Sequence, residues 1–153
     1  MKWQIKKYEE LTPDEIYEIL RIRNEVFISE QKCPYVDVDG KDKNSYHLFL
    51  SEGKSIIFYL RILEKGVSYD EISIGRVLVN SKFRGKSFAR MGLNKAIEFI
   101  EDKLNENTIK ISAQAYLKKF YGSLGFHEVS EVYLEDDIPH IEMVYKSLKN
   151  NPL

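Results

Sequence analysis

The stretch Val77-Leu78-Val79-Asn80-Ser81-Lys82-Phe83-Arg84-Gly85-Lys86-Ser87-Phe88-Ala89 limits what this chain can fold into more than any other. An apolar, β-branched run passes through a short basic turn directly into a helical pattern, so a strand and a helix must meet at a sharp corner. The first N–H groups of such a helix lack intrahelical acceptors and converge on one spot, where the helix dipole adds partial positive charge. Arg84 and Lys86 add whole charges. Gly85 lets a ligand approach the backbone, and Ser87 and Ala89 are nearly as small. The corner suits a phosphate or pyrophosphate; an ordinary solvated corner is the alternative.

The rest of the composition makes any anion binding local. Lys plus Arg (23) nearly balance Asp plus Glu (24), and the net charge of −1 offers no global field for nucleic acid or an anionic membrane. With 153 residues, 43% of them hydrophobic, one domain over residues 1–148 is expected, with a flexible tail at 149–153. Cys33 is the only cysteine, which excludes an internal disulfide and fits a reducing compartment. The first ten residues are charged and no run of 18 apolar residues occurs, so a cytoplasmic location is expected. A homodimer is left open, since no residue decides it.

Trp3 to Tyr8 alternates like an opening strand, and Thr12-Pro13-Asp14-Glu15 predicts a capping box with proline at the first helical position. Ile16, Ile19, Leu20 and Phe27 fall on one face of that helix. Arg23 shares their stripe and needs a partner: an ion pair in the core, or a place in a pocket wall. Arg61 and Arg76, inside apolar strands, pose the same alternative. The irregular segment Ser29 to Asp42 concentrates Asp37, Asp39 and Asp42, but its glycine and glutamate positions do not fit an EF-hand. It reads as a solvated acidic turn, or as a cluster that attracts a cationic acceptor.

Strands are expected at Tyr46 to Ser51, Ile56 to Leu63, Glu71 to Val79, Ile109 to Ala113, His127 to Leu134 and Ile141 to Tyr145. The helix from Ala89 packs one side on a sheet, and Gly92 within it points to close packing there. A short helix follows at Ala115 to Leu124, ended by Gly125 in the left-handed conformation. This order predicts an α+β fold with a mixed, mostly antiparallel sheet of about seven strands flanked by about four helices.

With both segments placed, Arg84-Gly85-Lys86-Ser87-Phe88-Ala89 and Gln114 through Tyr121 to Gly125-Phe126, the chain resembles the GNAT-fold N-acetyltransferases over nearly its whole length. The family's cofactor motif is Gln/Arg-x-x-Gly-x-Gly/Ala; here Ser87 stands at its first signature glycine. Val26-Phe27, Glu30-Gln31, Cys33-Pro34-Tyr35, Asp39-Gly40, Gly75-Arg76-Val77 and Ile138-Pro139-His140-Ile141 place the similarity in the ElaA-like branch.

The resemblance implies an acetyl-CoA-dependent N-acetyltransferase acting on a primary amine by direct transfer in a ternary complex; a non-catalytic acyl-CoA-binding or sensing module is the alternative. Arg84, Gly85, Lys86, Ser87, Phe88 and Ala89 then hold the pyrophosphate, while Val77, Leu78 and Val79 pair with the pantetheine amides, assisted by Gln114 and Tyr121. Tyr121 is the candidate acid for the leaving thiolate, because a phenol of pKa about 10 stays protonated at neutral pH. Glu30 and His140 are the candidate bases, and Arg23, Tyr35 and Arg76 the candidate acceptor-binding residues. No metal is expected: Cys33 with His47 and His140 has no ligand spacing, and an acetyl-Cys33 intermediate is set aside for direct transfer.

Overall fold

The computed structural model describes residues 1–148; the tail expected at 149–153 lies outside the described residues. Eight strands form one sheet: β1 (Lys2–Lys7), β2 (Ser45–Glu52), β3 (Ser55–Leu63), β4 (Ile72–Val79), β5 (Thr108–Gln114), β6 (Phe126–Glu128), β7 (Tyr133–Glu135) and β8 (Ile138–Lys146). They run in the order β1-β2-β3-β4-β5-β8-β6, with β7 also paired to β8, and only β4 and β5 are parallel. Three α-helices occur among the described residues, α1 (Pro13–Arg23), α2 (Phe88–Asp102) and α3 (Lys118–Ser123), with 3-10 and π segments between elements.

β3 is buried along nearly all its length because both sheet faces are covered. Its alternation sends Phe58, Leu60 and Ile62 toward α2 and Tyr59 toward α1. β4 changes parity in mid-course. Gly75 pairs with Arg61 and Leu78 with Tyr59, so three steps on β4 oppose two on β3, and the extra residue is accommodated at Arg76 with φ +52°. Ile72 and Ile74 therefore lie on the α2 side while Leu78 lies on the α1 side.

α1 begins as expected. Thr12 Oγ1 accepts from the Glu15 N–H at 3.1 Å and the Thr12 N–H donates to Glu15 Oε1 at 2.8 Å. Beyond Arg23 the helix widens into a π-helical segment, Asn24–Glu30, which keeps Val26 and Phe27 on the buried face. In α2, a Cβ on Gly92 would run into the buried Phe58 ring, which accounts for glycine inside a helix.

The end of the chain departs from expectation. Instead of one strand over 127–134, the structure has β6 and β7, separated where the Ser130 hydroxyl, rather than a backbone carbonyl, takes the Glu142 N–H at 2.9 Å. Instead of a loop over 135–140, β7 turns into β8 through Asp136 and Asp137 alone, both left-handed at φ +51° and +63°. Such a two-residue turn matches the twist of a hairpin. His140 thus sits on a strand, opposite Gln114 of β5.

Candidate active site

The site arises where the sheet opens. β4 and β5 pair only at Ile72 with Ile109 and at Ser73 with Lys110; beyond them the two strands part. The edge of β4 from Ile74 to Leu78 thus has no β5 partner, and the backbone groups of such an edge require one when covered. A cleft of about 690 Å³ lies there, lined by Val77, Leu78, Val79, Arg84, Ala89, Gln114 and Tyr121 among others. A smaller concavity of about 260 Å³ adjoins it at the start of α2, against Gly85, Ser87, Phe88 and Ala89.

The start of α2 is open. Ser87, at φ +64° and ψ +18°, precedes the helix in the left-handed conformation and its side chain caps nothing, while the first in-helix acceptance at Ser87 O comes from the Met91 N–H. Gly85 is left-handed as well, at φ +81°. Ser87 therefore adopts the backbone conformation for which glycine is the usual residue, and the N–H groups after it remain available to an anion. Lys86 is exposed, with Nζ 6.0 Å from the Phe83 ring centre, and lines neither concavity. Arg84 donates from Nε to Val79 O at 3.1 Å and holds Glu30 through both terminal nitrogens, NH2 at 3.0 Å. That contact corrects the reading of Glu30 as a base: hydrogen bonding by Arg84 pulls its pKa down, and both its oxygens are engaged.

Tyr121 lies in the cleft wall beneath Phe120 and Phe126, whose rings meet it edge-on at 5.4 and 5.8 Å. Burial, and then the neighbouring Tyr116, push its pKa well above that of a free phenol, so the hydroxyl keeps its proton.

Arg23 is not an acceptor-binding residue. It is wholly buried and lines neither concavity: Nε donates to Asp37 Oδ2 at 2.8 Å and NH1 to Asp42 Oδ1 at 2.7 Å. Arg61 bonds Asp39 at 2.6 and 2.9 Å and Asp42 at 2.9 Å. Arg76 bonds Asp37 at 2.8 Å and stacks over Tyr35 at 5.6 Å. The acidic loop is thus neither a solvated turn nor a cation trap, because three arginines match its three aspartates. Tyr35 and Arg76 still face the cleft. His47 stands apart from it: Nε2 donates to the Asp42 carbonyl at 2.9 Å, which leaves Nδ1 to accept from the Tyr59 hydroxyl at 2.7 Å.

His140 lines the cleft, but acceptors face both its nitrogens. Nδ1 is 2.7 Å from Ile138 O and Nε2 is 3.3 Å from Glu135 Oε2. The Cys33 thiol donates to Asp136 O at 3.1 Å and links the acidic loop to the β7–β8 turn beside the cleft. Sequence reasoning missed Tyr69, Ser112 and Glu135, which also line it. Ser112 was within reach: β5 alternates with Ile109, Ile111 and Ala113 buried, which leaves Ser112 and Gln114 on the opposite face. Glu135 carried no such signal, since its place depends on the hairpin.

Residues 9–147 match the acetyltransferase (GNAT) domain family. The protein ElaA of Escherichia coli is 36% identical over 145 residues, 94% of this chain and 95% of its own. Its crystal structure superposes with a TM-score of 0.89 at 35% identity, covering 95% of this chain and all of that one. The crystal structure of an acyl-CoA N-acyltransferase from Pseudomonas aeruginosa also gives 0.89, at 39% identity over 95% of this chain and 99% of that one.

Proposed function

Because the chain belongs to the GNAT acetyltransferase family, we propose that it transfers the acetyl group of acetyl-CoA to a primary amine, on a small molecule or on a protein lysine or N-terminus, directly in a ternary complex. The observation that carries this reading is a cleft along the edge of β4 that adjoins, through Val79, Arg84 and Ala89, a second concavity at the open start of α2. An extended pantetheine arm completes the sheet edge as an added strand does, and the pyrophosphate meets the N–H groups after Ser87. The residues present fit that donor: the left-handed Ser87 keeps those N–H groups accessible, with Lys86 and Arg84 beside them.

Acetyl transfer needs a neutral amine, a stabilised oxyanion and a proton for the departing thiolate. A backbone N–H on the free edge of β4 serves the oxyanion. Tyr121, kept protonated by burial, serves the thiolate. Gln114 reaches the same arm from β5, and Tyr35 and Arg76 line the acceptor side.

Calorimetric titration with acetyl-CoA, followed by thiol release over a panel of amines, tests the reading. Binding with release supports it. Binding without release from any amine favours the non-catalytic acyl-CoA-binding alternative, and absence of binding refutes both.

A further inference from the structure

A primary alkylamine, like a lysine side chain with pKa about 10.4, is protonated at neutral pH and must lose a proton before it can attack a thioester. Each candidate base already has a charged side chain against it. Glu30 is clamped by Arg84. In His140, the Ile138 carbonyl can only accept, so Nδ1 carries hydrogen; the remaining nitrogen, Nε2, is directed at a carboxylate 3.3 Å away. The one nitrogen of His140 left to a substrate is therefore shared with the Glu135 carboxylate.

The carboxylate it addresses is held from three strands. Glu135 ends β7 and lines the cleft; Oε2 faces His140 of β8, and Oε1 lies 3.4 Å from the Ser112 hydroxyl of β5. Ser112 also bonds the Tyr133 hydroxyl, and the Tyr133 ring stacks on His140 at 6.2 Å. Despite this support the Glu135 side chain is 51% exposed, so its remaining lone pairs are open to a ligand and to solvent.

We infer that Glu135 takes the ammonium proton of the acceptor, with His140 and Ser112 as the residues that position its carboxylate; this rests on the acetyl-transfer reading above. One N–H bond of the ammonium breaks as an O–H bond forms on Glu135, and the freed electron pair attacks the thioester carbon. As the C–S bond breaks, Tyr121 protonates the thiolate. The second N–H proton, lost as the amide forms, restores the Tyr121 phenol. Glu135 returns its proton to water through its exposed side.

The test compares two kinds of nucleophile at about pH 9: primary alkylamines, still mostly protonated there, and hydrazine, largely neutral there. Glu135→Gln is expected to lower kcat/KM for alkylamines about 10²-fold, leave hydrazine within about twofold, and leave calorimetric acetyl-CoA affinity unchanged. Glu135→Asp recovers part of the alkylamine rate. His140→Gln shows the same selectivity with a smaller loss. Equal loss for both nucleophiles, or no loss for alkylamines, overturns the assignment. A wild-type protein that binds acetyl-CoA yet acetylates neither nucleophile overturns the transfer reading itself, and the role of Glu135 with it.

Discussion

The loop that carries Asp37, Asp39 and Asp42 and the turn that carries Arg84 and Lys86 look alike in the sequence: each is short, irregular, charged and built around a glycine. Folded, they are opposites. Asp37 and Asp42 turn inward, Asp39 stays nearer the surface, and the three are matched in number by Arg23, Arg61 and Arg76. The basic turn stays at the surface, with Lys86 exposed, Arg84 in a surface pair with Glu30, and the helix start after Ser87 uncapped. The fold gives the acidic loop its full counter-charge and the basic turn only the one carboxylate of Glu30. Where the counter-charge is complete, the charged residues become structural.

The sharpest way to break this contrast is Arg23→Ala, which removes a buried partner from Asp37 and Asp42 and leaves two arginines to three aspartates. A loss of about 3–5 kcal/mol is expected in urea unfolding, and a loss below about 1 kcal/mol would mean the cluster is not structural. Tyr121→Phe comes next: kcat should fall about 10²-fold while acetyl-CoA affinity holds, and an unchanged kcat would remove Tyr121 from the acid role. Lys86→Glu tests the other side of the contrast. Coenzyme A affinity should drop about tenfold, or about 1.4 kcal/mol, with unfolding free energy within about 0.5 kcal/mol of wild type.

Acid titration separates the two regions further. Arg61 and Arg23 hold the Asp39 and Asp42 carboxyls below their ordinary range despite burial. Their folded-state pKa values lie below the unfolded ones, so the stability they contribute is present above about pH 4 and is lost as pH falls through the folded values. Circular dichroism of wild type against Asp39→Asn should show a shallower acid limb in the variant, and identical limbs would remove Asp39 from the linkage. The smallest effect is expected for Ser87→Gly, which relieves a left-handed serine. Stability should rise by up to about 1 kcal/mol with coenzyme A affinity within about twofold. A large affinity gain would show that the serine side chain obstructs the pyrophosphate.

Much of the fold was legible because local chemistry decides it. The Thr12 and Glu15 capping box, the Gly53 turn between β2 and β3, the left-handed Gly125 and the tight spot at Gly92 each follow from residues near one another in the chain. The wall of the cleft proposed to hold the acyl donor was legible for the same reason: Val77 to Ala89 is one continuous strand, turn and helix. The wall opposite, with Tyr35 and Arg76, was not. The charged cluster behind it meets across separations of 14 to 39 positions, as Arg23 and Arg76 do with Asp37. Arg23 could be read as a core ion or a pocket cation, and only the approach of the acidic loop decided between them.

The sequence by itself determined the element order as far as Gly125, the open helix start at Ser87 and the family, because short-range sterics, periodicity and contiguous motifs need no distant partner. Tertiary structure alone decided where the sheet splits between β4 and β5, that Glu30 belongs to Arg84, and that a two-residue turn brings Glu135 to His140 and Ser112. Those outcomes depend on strand register and on which charge finds which counter-charge, and both are settled by the packing of segments far apart in the chain.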